Sequence, residues 1–550
     1  MRRLGSNAAI LTAVVGVLIA AGMVADRFGA PASATALMVL MLAILSVAFA
    51  ALTTRTMRVS AFRAAGHGQP LLHTALLAAG LGTGLAGLAP GQGTALLLPA
   101  LAAVIGGLLL HLPVAGALRR SGATSLCEAV YLRFRSRSVA LLVAALLMLP
   151  LGMLALAAGE RAVALLAEAM HVGRGSAAGI VLVTTLLILL PGGATGLISV
   201  GLIFGAMALV AWGTPLAAVL ALPDGTGGLA LAETVEGLGA LSAHWGWVAG
   251  HACVAAGLFT LLGSASAAAS ARIARGAPLL AALWLLATGL AAVTVQSGVA
   301  LATAGLAGKA PADLPAVIYS ERARGLVSVC GVEPVRVDAV QRACARASAG
   351  GEARIEVSRQ RDGRWLAVLL GLPVALGTVH ALALPLLLVF VLAGLLHALG
   401  MLLTHDVIYR LGDYSGTASG RLALNRLILT GLALLVVSGR LPALAALQPL
   451  VLPALFLTAA IPVPMLLLAV NRRADWRAAL CGLVAAGAVG GAIVGGLLTD
   501  AASLLAAAGA ALAAGAAAAW LFASTDPADA AAADILAGRA PGPLHLDRSA

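Results

Sequence analysis

Long runs of apolar residues recur along the whole chain, and short segments rich in arginine separate them. Each run has about the length, roughly 20 residues, that an α-helix needs to cross about 30 Å of hydrocarbon. The pattern therefore predicts an all-α polytopic membrane protein. The apolar segments lie at residues 7–25, 34–53, 73–90, 95–117, 138–169, 177–194, 196–221, 246–264, 277–305, 366–404, 422–440, 449–470, 477–498 and 502–522.

The charges between these segments indicate how the chain crosses the membrane. If the long segment 366–404 crosses once, alternate loops hold most of the arginines, whereas the loop 222–245 on the opposite side is acidic. Positively charged loops stay in the cytoplasm, so this count places the arginine-rich loops and both termini there. Two crossings in that segment would move Arg410, Arg472 and Arg473 to the outside. We therefore predict a single crossing.

The first apolar segment has two interpretations. It follows two arginines and is trailed by Ala32-Ser33-Ala34, which resembles the small-residue cleavage site of a signal peptide. Residues 1–33 are therefore either an additional membrane helix or a signal peptide that is removed. The protein would have 14 membrane helices in the first case and 13 in the second.

The parts outside the membrane are few. Residues 306–364 form the one large extracytoplasmic segment, and they contain Cys330 and Cys344. Disulfides form in oxidising compartments, so we expect these cysteines to be bonded to each other; the alternative is a pair of free thiols. The tail is rich in Ala, Pro and Asp and is predicted to be disordered in the cytoplasm. The predicted divisions of the chain are 1–33, 34–305 (first membrane part), 306–364, 365–522 (second membrane part) and 523–550 (tail).

Composition narrows the possible functions. Hydrophobic residues make up 61% of the 550 residues, charged residues make up 10%, and the mean hydropathy is +1.03, which excludes a soluble protein. The net charge of +12 does not indicate nucleic-acid binding, because the basic residues are almost all arginines, many of them in short loops that set the topology, without the aromatic residues that stack on bases. No phosphate loop, dinucleotide fingerprint, nucleophile triad or metal-ligand cluster is visible, so we expect neither an enzyme nor a metal or cofactor beyond a coupling ion.

Several stretches of sequence carry a resemblance to a known family. The most specific is GLPVALGTVHALALPLLLVFVLAGLLHALGMLLTHDVIYR, residues 371–410, which starts near Leu-Pro and ends in Thr-His-Asp. Others are SAFRAAGHGQPLLHTALLAAGLGTGLAGLAP (60–90), LLILLPGGATGLISVGLIFGAMALV (186–210) and TAAIPVPMLLLAVNRR (458–473). Through these stretches the chain resembles the sodium/solute symporter family, and within it the cation/acetate symporter branch.

The resemblance implies a LeuT-like fold, an inverted repeat of five plus five helices with flanking helices added. In such folds the substrate and sodium bind midway across the membrane, at breaks in the first and sixth core helices. The glycine-rich stretch 80–93 permits a break of this kind. Alternatively, its small residues serve close packing against a neighbouring helix.

The resemblance also identifies positions for sodium, and there the sequence departs from the family. The eighth core helix of the family offers a Ser-Thr pair to the ion, and by register these positions are Phe390 and Val391. The remaining ligands would be the carbonyl groups of Ala79 and Gly82. A hard cation requires oxygen ligands, so we expect the sodium site to be degenerate. Three further polar positions of the family read Gly80, Gly201 and Phe204.

The polar side chains that remain within the apolar segments are candidates for a substrate or proton pathway, because such groups are costly at membrane depth. His397 follows Phe390 by two helical turns on nearly the same face, so it is a candidate to hold a proton in place of sodium. The alternative is a histidine hydrogen-bonded between packed helices. The candidates are Thr83, Glu160, His251, Gln296 and His397.

These observations favour a secondary active transporter of a small organic solute, most simply a monocarboxylate such as acetate, in a bacterial inner membrane. The missing ligands argue against sodium as the coupling ion, which leaves proton coupling or facilitated diffusion. The alternative is a non-transporting membrane sensor or partner subunit that uses residues 306–364 as its binding surface. The expected partners are the lipid bilayer and the solute; no nucleic acid is expected, and protein partners are left open.

Overall fold

The structure is a computed structural model. It describes residues 32–88, 94–222, 226–320, 327–347, 355–357, 363–412, 416–438, 447–494 and 502–540, together with residues 16, 20, 23, 24, 27 and 28. Within these ranges the secondary structure is helical apart from one two-stranded sheet. The first predicted apolar segment, 7–25, lies outside the described residues apart from isolated positions, and so does most of the predicted division 1–33.

Helices follow one another along the described chain. The helices of the first half are α1 (Ala32–Thr53), α2 (Val59–Ala64), α3 (Leu71–Ala86), α4 (Thr94–Arg120), α5 (Leu126–Phe134), α6 (Arg137–Met170), α7 (Arg174–Gly192), α8 (Ala194–Leu220), α9 (Thr226–Gly239), α10 (Trp245–Leu261), α11 (Ser264–Ala267) and α12 (Ala271–Ala304). Those of the second half are α13 (Val337–Ala347), α14 (Gly363–Leu369), α15 (Val374–Met401), α16 (Ala418–Val437), α17 (Gln448–Ala460), α18 (Pro462–Ala469), α19 (Trp476–Val494), α20 (Ala502–Leu521) and α21 (Pro527–Ala537).

Eleven helical segments of the described chain are long and apolar enough to cross a membrane, and two further apolar helices are shorter. The shorter ones are α3 and the part of α19 over Trp476–Val489. Every predicted apolar segment from 34–53 onward coincides with one of these thirteen. The prediction of an all-α polytopic membrane protein is confirmed.

The predicted single crossing at 366–404 corresponds to one continuous helix. α15 begins after Pro373 and continues directly into a π-helical segment, Leu402–Leu411. Of the described spans it is the most deeply buried, with 89% of its most apolar stretch inside the protein. It packs against α3, α6 and α8, so α15 lies at the centre of the bundle.

Two helical spans of the described chain are interrupted. α10 ends two residues before Gly263, which adopts a φ of 71° before α11 continues for one turn; glycine adopts such a conformation without steric cost. α17 and α18 are separated at Ile461. Pro462 follows it, and a proline has no N–H group to continue the hydrogen bonding of the preceding turn.

The segment 306–364, together with the helix α14 that follows it, forms a small unit with its own apolar core. Strands β1 (Val327–Val329) and β2 (Ile355–Val357) pair in antiparallel fashion, with α13 between them in the chain. A disulfide bond joins Cys330, directly after β1, to Cys344 of α13. The apolar core of this unit contains Leu306, Leu314, Ile318, Val327, Val329, Val340, Cys344, Trp365 and Val368.

The prediction of a disordered tail over 523–550 is wrong for residues 527–537, which form α21. Asp526 caps this helix by accepting a hydrogen bond from the N–H group of Ala528, and Pro527 occupies the first turn. Both are signals for a helix start, and the alanines that follow favour helix. Local helix propensity therefore decides the structure of this part of the tail.

Candidate functional site

The positions that the sequence assigns to sodium lie where α15 meets α3. Phe390 and Val391 are completely buried. A Cβ atom on Gly80 would lie 3.0 Å from Cε1 of Phe390, and one on Gly84 would lie 2.4 Å from Cγ2 of Val391. The two side chains therefore fill the space between the helices. Close packing through small residues, the second interpretation of this glycine-rich stretch, describes α3.

Phe204 of α8 completes this apolar contact. The rings of Phe204 and Phe390 have centroids 5.1 Å apart and are tilted by 48°, a favourable arrangement for two aromatic rings. A Cβ atom on Gly201 would lie 3.3 Å from Cζ of Phe390, so α8 also approaches this point closely. We call Gly80, Gly201, Phe204, Phe390 and Val391 the apolar centre.

The carbonyl groups of Ala79 and Gly82 do not form an open cradle for a cation. The break that the glycine-rich stretch 80–93 permits is not present up to Ala86, because α3 is a continuous α-helix to that residue and its carbonyl groups lie within the helical hydrogen-bond ladder. The oxygen of Ala79 also accepts a hydrogen bond of 2.9 Å from the hydroxyl group of Thr83. Among the described residues, no group of three His, Cys, Asp or Glu side chains is arranged to hold a metal ion.

Three other candidates do not converge on a common site. The side chain of Glu160 is 47% exposed and lies 3.9 Å from Arg174, and Gln296 is exposed as well. His251 stacks on Trp247 with ring centroids 3.9 Å apart, and its Nδ1 atom lies 2.9 Å from the carbonyl oxygen of the same tryptophan. Each of these side chains is satisfied locally or faces outward.

His397 is the candidate that faces an internal space. It is 6% exposed, and its Nε2 atom lies 3.3 Å from the carbonyl oxygen of Arg63. Its Nδ1 atom is buried and has no hydrogen-bond partner among the described residues. The residue borders a cavity of about 40 Å³ that is also lined by Arg63, Thr124 and Ser125. The hydrogen-bonding capacity of this histidine is thus only half used.

A buried polar cluster that the sequence analysis missed lies at the end of α15. The carboxylate of Glu128 is 3.2 Å from Nε2 of His405 and forms an ion pair with Arg410. Asp406 is 1% exposed, and its Oδ1 atom accepts a hydrogen bond of 2.7 Å from the hydroxyl group of Ser125. We refer to Ser125, Glu128, His405, Asp406 and Arg410 as the polar cluster.

Local structure explains how this cluster is built. Ser125 caps α5 and accepts a hydrogen bond from the N–H group of Glu128, whose carboxylate accepts one of 2.8 Å from the N–H group of Thr124. This arrangement resembles a capping box, for which S-x-x-E is the sequence signal. The other three members lie on the π-helical segment, and such segments often occur at functional sites. The capping signal at Ser125 and the Thr-His-Asp ending of residues 371–410 can be read from the sequence. The contact between Glu128 and His405, which are 277 residues apart, cannot.

The charges around Glu128 stabilise its ionised form. Burial alone would raise the pKa of this carboxyl group, but the hydrogen bond and charge of His405 and the charge of Arg410 outweigh it. The pKa of Glu128 therefore falls well below its ordinary value of 4.5, and the group is a carboxylate at neutral pH. Oδ2 of Asp406 is buried without a hydrogen-bond partner among the described residues.

Comparison with known proteins bears on the fold. No protein-family model matches the sequence, and no curated protein matches it. Among solved structures, a Na⁺-coupled sialic acid symporter in a substrate-bound, outward-open state matches 90% of this chain and 98% of its own, with a TM-score of 0.65 and 14% identity. The chain has a LeuT-like fold. The fold class expected from the sequence is therefore confirmed.

A second solved structure is less informative. It is a manganese transporter of Eremococcus coleocola, which matches 87% of this chain and 91% of its own at 14% identity. Its TM-score of 0.37 is too low to support an argument. Any function of this protein must therefore be compatible with both a symporter-like fold and the apolar centre.

Proposed function

We propose that the protein is a secondary transporter that moves a small organic solute across a bacterial inner membrane by alternating access. The observation that carries this proposal is the match to nearly the whole of a solute symporter, 98% of its length at a TM-score of 0.65. A scaffold kept over its full length supports a function that uses the whole scaffold. The arginine-rich loops and both termini would face the cytoplasm.

The solute that we propose is a short monocarboxylate such as acetate. The proposal is supported by the resemblance of residues 371–410 to the cation/acetate symporters. It is also supported by Arg63 and His397, which border one cavity. A guanidinium group and an imidazole are groups that bind carboxylates through charge-assisted hydrogen bonds.

The coupling ion that we propose is a proton rather than sodium. The apolar centre presents carbon atoms where sodium would require oxygen ligands. In contrast, His397, His405 and Asp406 place ionisable groups inside the protein, where such groups are costly and are therefore functional candidates. A histidine can take up and release a proton at its ring nitrogen atoms, which suits it to carry a proton.

Uptake of radiolabelled acetate and other short carboxylates into proteoliposomes tests this function. We expect accumulation under an imposed proton gradient with potassium as the only metal cation, and none in liposomes without protein. Accumulation that requires a sodium gradient would reject proton coupling. Transport of short carboxylates would be rejected if none of the tested carboxylates accumulates under either gradient and none exchanges across the membrane without a gradient.

A non-transporting sensor or partner subunit is the second candidate, and the apolar centre favours it. Phe390, Val391 and Phe204 are almost completely buried, so they would close the space that the family resemblance assigns to the sodium ion. Such a protein would use the segment 306–364 as its binding surface. If flux is absent, co-purification of a stoichiometric partner with the full chain would support this function. The partner should be lost when residues 327–357 are replaced by a flexible linker.

A further inference from the structure

Three arginines meet where α4 ends and α12 begins. A Cβ atom on Gly116 would lie 3.1 Å from Cδ of Arg275 and 3.2 Å from Nη1 of Arg120, so these two side chains lie next to each other over the same glycine. Arg272 precedes Arg275 by three residues on α12, which makes them neighbours on the helix surface. We call Arg120, Arg272 and Arg275 the arginine cluster.

The described part of the chain does not neutralise the charges of this cluster. None of its three guanidinium groups forms an ion pair there. Nε of Arg120 donates a hydrogen bond of 2.7 Å to the carbonyl oxygen of Leu536. Arg272 and Arg275 are exposed, and the charge of Arg275 repels that of Arg120. The cluster therefore creates a positive potential that favours an anion from outside the chain.

Neither helix stability nor topology explains the cluster. Arg272 lies in the first turn of α12 and Arg275 in the second, at the end of the helix that carries a partial positive charge and favours acidic residues. The first turn of α12 contains no acidic residue. A topology signal requires arginines on one side of the membrane, but it does not require arginines of two helices to meet. A bound anion would offset the unfavourable charges.

The exposed surface of α12 continues from the cluster as a row of leucines. Leu279, Leu283 and Leu286 are 49%, 57% and 43% exposed. Together with the two arginines of α12 they follow a spacing of three or four residues, so all of them lie on one face of the helix. α12 is long and apolar enough to cross a membrane, so the leucine part of this face meets hydrocarbon. A positive end followed by an apolar face matches the two ends of a phospholipid.

We propose that the arginine cluster and the leucines of this face bind an anionic phospholipid such as phosphatidylglycerol, with its phosphate group on the arginines and one acyl chain along the leucines. The lipid belongs to the leaflet on the arginine-rich side of the membrane. Arginine suits a phosphate because its planar group donates two parallel hydrogen bonds. Free phosphate carries the same charged group but would leave the leucines uncovered. The site does not depend on the solute or on the coupling ion.

Native mass spectrometry of the purified, delipidated full chain tests the proposal. The protein is titrated with phosphatidylglycerol and, separately, with phosphatidylcholine of the same acyl chains, which has no net charge. We expect the first phosphatidylglycerol to bind at least about tenfold more tightly, since each arginine near an anionic headgroup contributes roughly fivefold. Changing Arg272→Gln and Arg275→Gln together should weaken this first binding about thirtyfold.

Arg55 and Arg58 provide a matched control. They are also three residues apart and exposed, and they lie on the same predicted side of the membrane, so Arg55→Gln with Arg58→Gln removes the same charge. This variant should bind the lipid like the wild type. Arg272→Lys with Arg275→Lys keeps the charges and should bind within about fivefold of the wild type. If the glutamine pair on α12 fails to fold, Arg120→Gln replaces it, with an expected loss of about fivefold.

Soluble anions separate a lipid site from a phosphate site. Neither inorganic phosphate nor glycerophosphoglycerol, the headgroup without its acyl chains, should displace the bound lipid at equal concentration. Displacement by either would overturn the proposal in favour of a soluble anion. Equal binding of the two lipids, or an equal loss in the two paired glutamine variants, would also overturn it. First binding that Asp547→Asn strengthens at least about tenfold would assign the arginines to the chain's own tail instead.

Discussion

At the scale of single residues, the chain has carbon at the two positions that the family resemblance assigns to sodium ligands. The register of residues 371–410 places Phe390 and Val391 at these positions, so the sequence alone supports the expectation that two oxygen ligands are missing. The fit of their side chains against Gly80 and Gly84 could not, because it depends on how closely two distant helices pack. The contact of Glu128 with the end of α15 was missed for the same reason.

Adding one methyl group to α3 tests the close packing of the apolar centre. A Cβ atom on Gly84 would lie 2.4 Å from a side chain and 2.7 Å from a backbone oxygen of α15, so Gly84→Ala should cost about 1–3 kcal/mol through overpacking. The matched control is Gly152→Ala in α6, where a Cβ atom meets nothing within 4 Å and alanine should be neutral or slightly stabilising. Thermal unfolding of both variants in detergent measures the difference, and equal midpoints would contradict the packing described.

The ion pairs of Glu128 predict a pH dependence with a defined sign. Because its pKa in the folded protein lies below the ordinary value of 4.5, its contribution to stability is fully present above pH 4.5 and is lost as the pH falls further. Glu128→Gln should therefore unfold at a lower temperature than the wild type at pH 7 and pH 5, and this difference should shrink below pH 4.5.

The exposed Glu160 provides the control for this titration. Glu160→Gln should change the unfolding midpoint little at any of these pH values, because an exposed ion pair contributes about 0–1 kcal/mol. A difference between Glu128→Gln and the wild type that is already closing between pH 7 and pH 5 would show that another group sets the pH dependence.

At the scale of elements, hydropathy predicted which segments become membrane helices. It did not predict α21, which depends on local helix signals. The apolar runs were sufficient to locate the spans, because a helix that crosses lipid must bury every backbone polar group within itself. The glycine-rich run 80–93 left a break or close packing open, and up to Ala86 the contacts of α3 with α15 show close packing. In the tail, low hydrophobicity favoured disorder, whereas Asp526, Pro527 and a run of alanines start and maintain α21.

α21 is held against the bundle by a buried arginine. Arg133 of α5 is 0% exposed, and it donates hydrogen bonds to the carbonyl oxygens of Ala469, Asn471 and Ala474. Its remaining terminal nitrogen pairs with Asp529 of α21 at 3.1 Å. One side chain therefore ties α5, the end of α18 and the tail together, which explains why a segment of such composition is ordered.

Removing the carboxylate that binds Arg133 should release the tail. Asp529→Asn leaves the buried guanidinium without its counterion, and a hydrogen bond to a charged group is worth about 2 kcal/mol. Hydrogen exchange over residues 527–537 should accelerate correspondingly. Arg539→Gln is the control, because the side chain of Arg539 is 51% exposed in its ion pair with Asp534 and such pairs contribute little. Equal exchange in both variants would contradict the role of Arg133.

At the scale of the whole molecule, a symporter-like fold surrounds an apolar centre. The match to a symporter over 98% of its length shows that the helices keep their arrangement despite 14% identity. Core positions of a bundle tolerate substitution when volume is conserved, so the arrangement of helices can persist at low sequence identity. The central claim is that the sodium site has been filled with side-chain carbon while the transporter fold remains.

Binding of radiolabelled sodium to the purified protein tests this claim most directly. The Na⁺-coupled sialic acid symporter, measured under the same conditions, serves as the positive control. We expect saturable sodium binding to the control and none to this protein, because Phe390 and Val391 present carbon where the ion would require two oxygen ligands. Saturable sodium binding to this protein would contradict the account and would mean that the ion occupies a site other than the apolar centre.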